Sequence, residues 1–128
     1  MENKILRMEG ISKSFPGVKA LSNVDFSVDK GEVRCLIGAN GAGKSTLMKI
    51  LSGACQRDSG KIFINGKEMH VLNTQNAIQA GVAVIYQELS LIDSLTVAEN
   101  IFLNNYKNVK SGILLNWNEM NKKAIALL

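Results

Sequence analysis

Residues 33–51 read VRCLIGANGAGKSTLMKIL. An apolar run leads into a glycine-rich turn. The turn ends on Lys44-Ser45-Thr46, and the pattern then changes period, with Leu47, Ile50 and Leu51 at i, i+3 and i+4. That spacing places three apolar side chains on one face of a helix, and Gly53 follows as a stop signal. Gly38-Ala39-Asn40-Gly41-Ala42-Gly43-Lys44-Ser45 meets the pattern G-x-x-x-x-G-K-[ST] at every fixed position. The order apolar strand, glycine loop, amphipathic helix predicts an α/β fold built around a bound phosphate chain.

The residue types follow from that chemistry. A triphosphate concentrates several negative charges in a small volume. Backbone N–H groups of Gly38, Asn40, Gly41, Ala42 and Gly43 can wrap it only if the chain approaches closely and turns with positive φ, which glycine permits. A helix starting near Gly43 aims its free N–H groups and the positive end of its dipole at the same anion. Lys44 reaches the β- and γ-phosphates as a point charge, and the Ser45 hydroxyl is placed to ligate Mg²⁺, a hard cation that prefers oxygen. Thr46 offers a further hydroxyl or N–H to the α-phosphate. The expected ligand is a purine nucleoside triphosphate; the loop alone does not specify a reaction.

On the amino-terminal side, "KILRMEGISKSF" (4–15) reads as an edge or half-exposed strand. "VDFSV" (24–28) alternates, with Val24, Phe26 and Val28 on one face. Gly31 turns the chain into "EVRCLIG" (32–38), apolar enough for a strand covered on both faces. On the carboxyl side, Asn65-Gly66 within "GKIFINGKEM" signals a hairpin. "TQNAIQAG" (74–81) reads as a short helix capped by Thr74 and ended by Gly81. "VAVIY" (82–86) is a buried-strand run. Thr96 with Glu99 forms a capping box at the start of a further helix. The polar stretch "NNYKNVKSG" (104–112) reads as a surface loop. The last helix is expected to be capped by Asn116 or Asn118, with Met120, Ala124 and Leu127 on one stripe. It then stops without Gly, Pro or a polar tail, so residue 128 reads as a truncation point.

Composition narrows the function classes. The 128 residues suffice for one domain with a modest core, and 46% apolar with 20% charged residues is ordinary for a globular protein. No apolar run reaches the ~18–20 residues of a membrane span, and the start lacks a secretory h-region. The expected compartment is therefore the cytoplasm. The net charge of +4 comes from dispersed lysines without interleaved aromatics, which argues against a nucleic-acid surface. Cys35 and Cys55 lack metal-ligand spacing and read as small buried or half-buried thiols. His70, just after the hairpin, reads as a solvated surface residue.

Gln87 follows the 82–86 run. At the carboxyl end of a strand its amide can ligate Mg²⁺ or orient an attacking water; a plain surface glutamine is the alternative that spacing leaves open. "GANGAGKST" together with "GVAVIYQELSLIDSLTVAEN" (81–100) resembles the ATPase subunit of ABC transporters, from Ile5 to the end of the chain. "FPGVKAL", "YQELSLIDSLTVAENIFL" and "NW" resemble in particular the importers of ribose, galactose, arabinose and xylose type.

The resemblance implies a P-loop ATPase core of mixed sheet plus an antiparallel β-subdomain. Residues 1–95 would hold the ATP-binding core and β-subdomain, and 96–128 the start of a helical subdomain. It implies that Gln87 is the Q-loop glutamine, touching Mg²⁺ and the γ-phosphate side, with catalytic duty shared with Lys44. It places Phe15, in "SKSFPGVKAL", at the aromatic position that stacks on adenine. Residues 88–94 would face membrane permease subunits. Further implied partners are a second ATPase domain, in tandem in the parent chain, and indirectly an extracytoplasmic sugar-binding protein. The implied place is the inner face of the cell membrane. Ala39 departs from the glutamate common in that subfamily. The signature segment, the Mg²⁺-ordering aspartate, the catalytic glutamate and the switch histidine find no counterpart here, so this stretch alone is expected to bind Mg-ATP weakly and not to turn it over. The alternative is a soluble tandem ABC protein acting on the ribosome or DNA. A GTPase would need an N-K-x-D motif, which is absent.

Overall fold

The computed structural model describes residues 3–85, 91–103, 110–111 and 114–127. The chain divides into two compact units, 1–85 and 86–128. Gln87 falls outside the described residues.

The first unit is built on a long ribbon, β1 (Lys4–Phe15) and β2 (Val18–Asp29), joined by a tight turn at Pro16-Gly17. Strands β3 (Ser59–Ile64) and β4 (Lys67–Glu68) complete a sheet of order β2-β1-β3-β4. All its pairings are antiparallel. Of the two expectations for β1, an edge or a half-exposed strand, the second holds: it is an interior strand in which only Leu6, Met8 and Ile11 are buried. The reason lies in its register. Leu6, Met8 and Ile11 are all buried, and the step of three from Met8 to Ile11 breaks strict alternation. A bulge absorbs the extra residue at Gly10, where φ is +61°, and Asp25 Oδ1 accepts the Gly10 N–H at 2.7 Å.

Helix α1 (Lys44–Leu51) buries Leu47 and Ile50 with Leu6, Met8, Ile11, Leu21, Ile62, Ile64, Leu72 and Ala77. Each of those two side chains contributes about 1.5–3 kcal/mol by leaving water. Val24, Phe26 and Val28 pack against the same cluster, as their alternation predicts. Asn65-Gly66 links β3 to β4 as expected. Helix α2 (Thr74–Gln79) is capped one residue earlier than expected: Asn73 and Asn76 exchange side-chain bonds with each other's N–H groups. An asparagine at N3 does here what a glutamate does in the usual box.

The runs 32–38 and 82–86 differ from expectation. Among the described residues of both, no ladder forms, and Val33, Ile37 and Ile85 are more than 90% exposed. A strand of this apolar kind needs a neighbour on each side and a cover on each face. The antiparallel sheet of this unit provides neither. Cys35, expected in that strand, is correspondingly exposed, and Cys55 is half-buried.

The second unit contains α3 (Val97–Phe102), a two-stranded pair β5 (Lys110–Ser111) and β6 (Leu114–Leu115), and α4 (Trp117–Ile125). Its core is Ala98, Phe102, Met120 and Ala124. Thr96 and Glu99 form the expected capping box, and Asn116 caps α4. Leu127, expected on the α4 stripe, is exposed instead. The polar stretch 104–112 contains β5; the rest of it lies outside the described residues. No helix among the described residues is long and apolar enough to cross a membrane.

Candidate phosphate-binding loop

The glycine loop runs irregularly from residue 33 to the turn at Asn40-Gly41, and α1 begins at Lys44. Gly43 is the helix N-cap, with φ +84° and ψ +1°. A Cβ at this position would lie 2.5 Å from the Ala20 carbonyl oxygen and 2.7 Å from Leu21 Cδ2. Glycine is therefore required twice over, for its left-handed backbone and for the close approach to β2. The contact sets the first turn of the helix directly on the ribbon. The Leu47 N–H donating to the Gly43 carbonyl at 2.9 Å is the first helical bond.

No side chain caps this helix and its first turn carries no acidic residue. The leading N–H groups and the positive dipole end are thus left for an anion. Lys44 lies back over the loop. Its ammonium donates to the carbonyls of Gly38 and Ala39, each at 2.7 Å, and the Ala42 N–H donates to the Ala39 carbonyl at 3.2 Å. The loop is closed into a ring by its own lysine. Ser45 is exposed at the helix start, with Thr46 half-buried beside it. Ser45 thereby presents a hydroxyl oxygen, the donor type a hard cation prefers, so its chemistry fits the Mg²⁺ expected with a nucleotide. Among the described residues, no group of three His, Cys, Asp or Glu side chains could hold a metal by itself.

Phe15 ends β1 opposite Val18, two residues before Ala20. The aromatic side chain and the helix start therefore belong to the same end of the ribbon. Phe15 is 41% exposed, and Lys13 Nζ lies 5.5 Å from its ring centroid. Lys13 donates in turn to Asp58 Oδ1 at 2.8 Å, while Asp58 Oδ2 accepts the Ser14 N–H at 2.7 Å. The Asp58 N–H donates to the Ser12 carbonyl at 2.9 Å. The Lys13 ammonium, then the Ser14 N–H, hold the Asp58 carboxyl below its ordinary range, and Asp58 raises Lys13 in return. Sequence reading missed Ala20, Leu21 and Asp58. The first two carry no signal, being defined only by what Gly43 touches. Asp58 stands in "RDSG" (57–60), a turn-like cluster, but its partners are 44 and 45 residues away. His70 is a surface residue as expected, 3.6 Å from Glu68.

Comparison with known proteins agrees with this geometry. A family model described as ABC transporter matches residues 21–128. The ribose import ATP-binding protein RbsA of Clostridium perfringens (strain SM101 / Type A) is 58% identical over 106 residues, covering 83% of this chain and 21% of that protein. The xylose import ATP-binding protein XylG of Geobacillus kaustophilus (strain HTA426) is 50% identical over 126 residues, covering 97% of this chain and 25% of that protein. The chain thus spans a quarter or less of the length of these curated relatives. Among solved structures, MJ1267, an ATP-binding cassette of an ABC transporter, superposes with a TM-score of 0.80 at 31% identity, covering 98% of this chain and 53% of that one. Its ADP conformation gives 0.73 at 29% identity, covering 98% and 46%. The glycine loop, the helix it starts and the antiparallel ribbon beneath them are parts of one cassette: the chain belongs to the ABC transporter family.

Proposed function

We propose that this chain is the nucleotide-binding beginning of an ATPase subunit that powers sugar import. The observation that carries the reading is the loop itself: Gly43 seated on Ala20, α1 opening uncapped, and Lys44 folded over the Gly38 and Ala39 carbonyls. The kinship with ribose and xylose import proteins favours transport over a ribosomal or DNA role.

In this reading the backbone of Gly38 and Asn40–Gly43 wraps the phosphates of ATP. Lys44 exchanges two carbonyl partners for phosphate oxygens, a stronger, charge-assisted pairing. Ser45 and Thr46 supply hydroxyls, Ser45 to Mg²⁺, with Gln87 as its second protein oxygen. The cation, when bound, neutralises phosphate charge. Phe15 stacks on the adenine; a π-face reads a base without hydrogen bonds, so preference over guanine is weak. Residues 1–95 form the core and β-subdomain, with 88–94 facing the permease, and 96–128 open the helical subdomain.

The working unit is two such domains sandwiching ATP, in tandem in one chain, on permease subunits at the inner face of the membrane, fed by a sugar-binding protein. ATP favours the closed sandwich over the open one, and that difference in affinity drives the permease. The test is Lys44→Ala in the intact protein, assayed for ATP hydrolysis and sugar uptake. Loss of both in a stably expressed variant is expected; undiminished uptake overturns the assignment unless the second domain carries all the work, which unchanged uptake after replacing that domain's own loop lysine would exclude. Gln87→Ala is expected to keep most ATP binding while uptake per ATP falls.

A further inference from the structure

We propose that Asp58 is a positioning residue for base recognition: through Lys13 and Ser14 it holds Phe15 in place and covers one face of its ring with a cation, leaving the other for the purine. The inference rests on the reading of Phe15 as the adenine-stacking residue.

Three contacts support it. Asp58 uses both carboxylate oxygens on the end of β1, one for the Lys13 ammonium and one for the Ser14 N–H, and its own N–H for the Ser12 carbonyl. Ser14 is the residue immediately before Phe15, so the bond restrains the backbone from which the ring projects. The Lys13 side chain is only 16% exposed, and its ammonium lies over the Phe15 ring at 5.5 Å. A cation on one face attracts the ring's π-electrons and fixes its orientation. An aromatic at a ribbon end, 41% exposed, otherwise has rotamer freedom to lose on stacking. Asp58 removes part of that cost beforehand, and it does so from a turn that contributes nothing to the glycine loop.

The experiment compares Mg-ATP with Mg-tripolyphosphate as ligands of the intact protein, by calorimetry. Phe15→Ala is expected to weaken ATP about tenfold, the loss of one base–aromatic stack, and to leave tripolyphosphate unchanged. Asp58→Ala and Lys13→Leu are expected to show the same selective loss at about three- to fivefold, with tripolyphosphate binding serving as the check on folding. Equal weakening of both ligands by Asp58→Ala would make it a structural residue only and overturns the proposal, as does no effect on either. If Phe15→Ala itself spares ATP, the adenine reading fails. If Phe15→Ala acts and Asp58→Ala does not, only the positioning role fails.

Discussion

Gly43 faces the Ala20 carbonyl so closely that a β-carbon on it would stand 2.5 Å from the oxygen. Gly41, two residues earlier, has nearly the same φ of +82° but nothing within 4 Å of such an atom. The pair separates two demands usually lumped together. Gly41→Ala is expected to cost about 1 kcal/mol, the penalty of a left-handed alanine. Gly43→Ala adds a backbone clash that only a shift of α1 off β2 relieves, and a loss of ~3 kcal/mol or more is expected. Urea titration of the two variants checks this, and equal midpoints would refute the packing argument.

Lys44 is held by two carbonyls of its own loop. Lys44→Met keeps the stem and deletes the ammonium. Because the bonds are exposed to solvent, the folded state is expected to lose at most about 1 kcal/mol. Mg-ATP affinity is expected to fall more than tenfold. A thermal melt and a binding isotherm on the same preparation separate the two effects.

Thr96 accepts the Glu99 N–H at 3.3 Å, while Glu99 Oε2 accepts the Thr96 N–H at 2.8 Å and its hydroxyl at 2.7 Å. Thr96→Ala removes one half of the exchange and should cost about 1 kcal/mol. The Asn100 side chain adds a second clip, donating to the carbonyls of Ile92, Leu95 and Thr96, each at 3.1 Å. Hydrogen exchange of 92–102 is expected to quicken in Thr96→Ala while that of β1–β3 is unchanged.

Acid should loosen the Phe15 end of the ribbon. The Lys13 ammonium and the Ser14 N–H lower the folded-state pKa of Asp58 beneath its ordinary 3.8. Between those two values the unfolded chain binds the proton and the folded chain does not, so stability falls as pH falls. The contribution is full above about pH 3.8 and gone below the folded value. Glu32, held low by the Asp29 N–H and then Arg34, and Glu99, held low by Thr96, act in the same direction. Asp58→Asn is expected to flatten the acid limb of a stability-against-pH curve; an unchanged limb would count against the Lys13–Asp58 pairing.

The parts that were legible in sequence are those whose signal is local. The glycine loop, α1, the Asn65-Gly66 turn and the Thr96–Glu99 box all announce themselves within a few residues. The interior place of β1 is not legible, because its one-residue bulge scrambles the period of two and only the partner strands reveal it. The runs at 32–38 and 82–86 carry the right composition for strands, yet a strand exists only through a neighbour, and composition cannot supply one. Asp58 and Ala20 were invisible because each acts across long sequence separations. The stacking role given to Phe15 came from resemblance; its place at the ribbon end beside Lys13 is what the structure adds.

The ribbon that supports Gly43 is complete by Asp29, before any of the glycine loop has been synthesised. A ribosome needs on the order of a second to add the next fourteen residues. A hairpin closes in roughly 1–10 μs. β1 and β2 therefore have time to meet and part many times before Gly43 leaves the ribosome, even though two strands alone are only marginally stable. The newborn chain presents its shelf first and the part that rests on it afterwards: α1 lays Leu47 and Ile50 on the ribbon's Leu6, Met8, Ile11 and Leu21, and β3, emerging later still, pairs along β1 to widen the ribbon into a sheet.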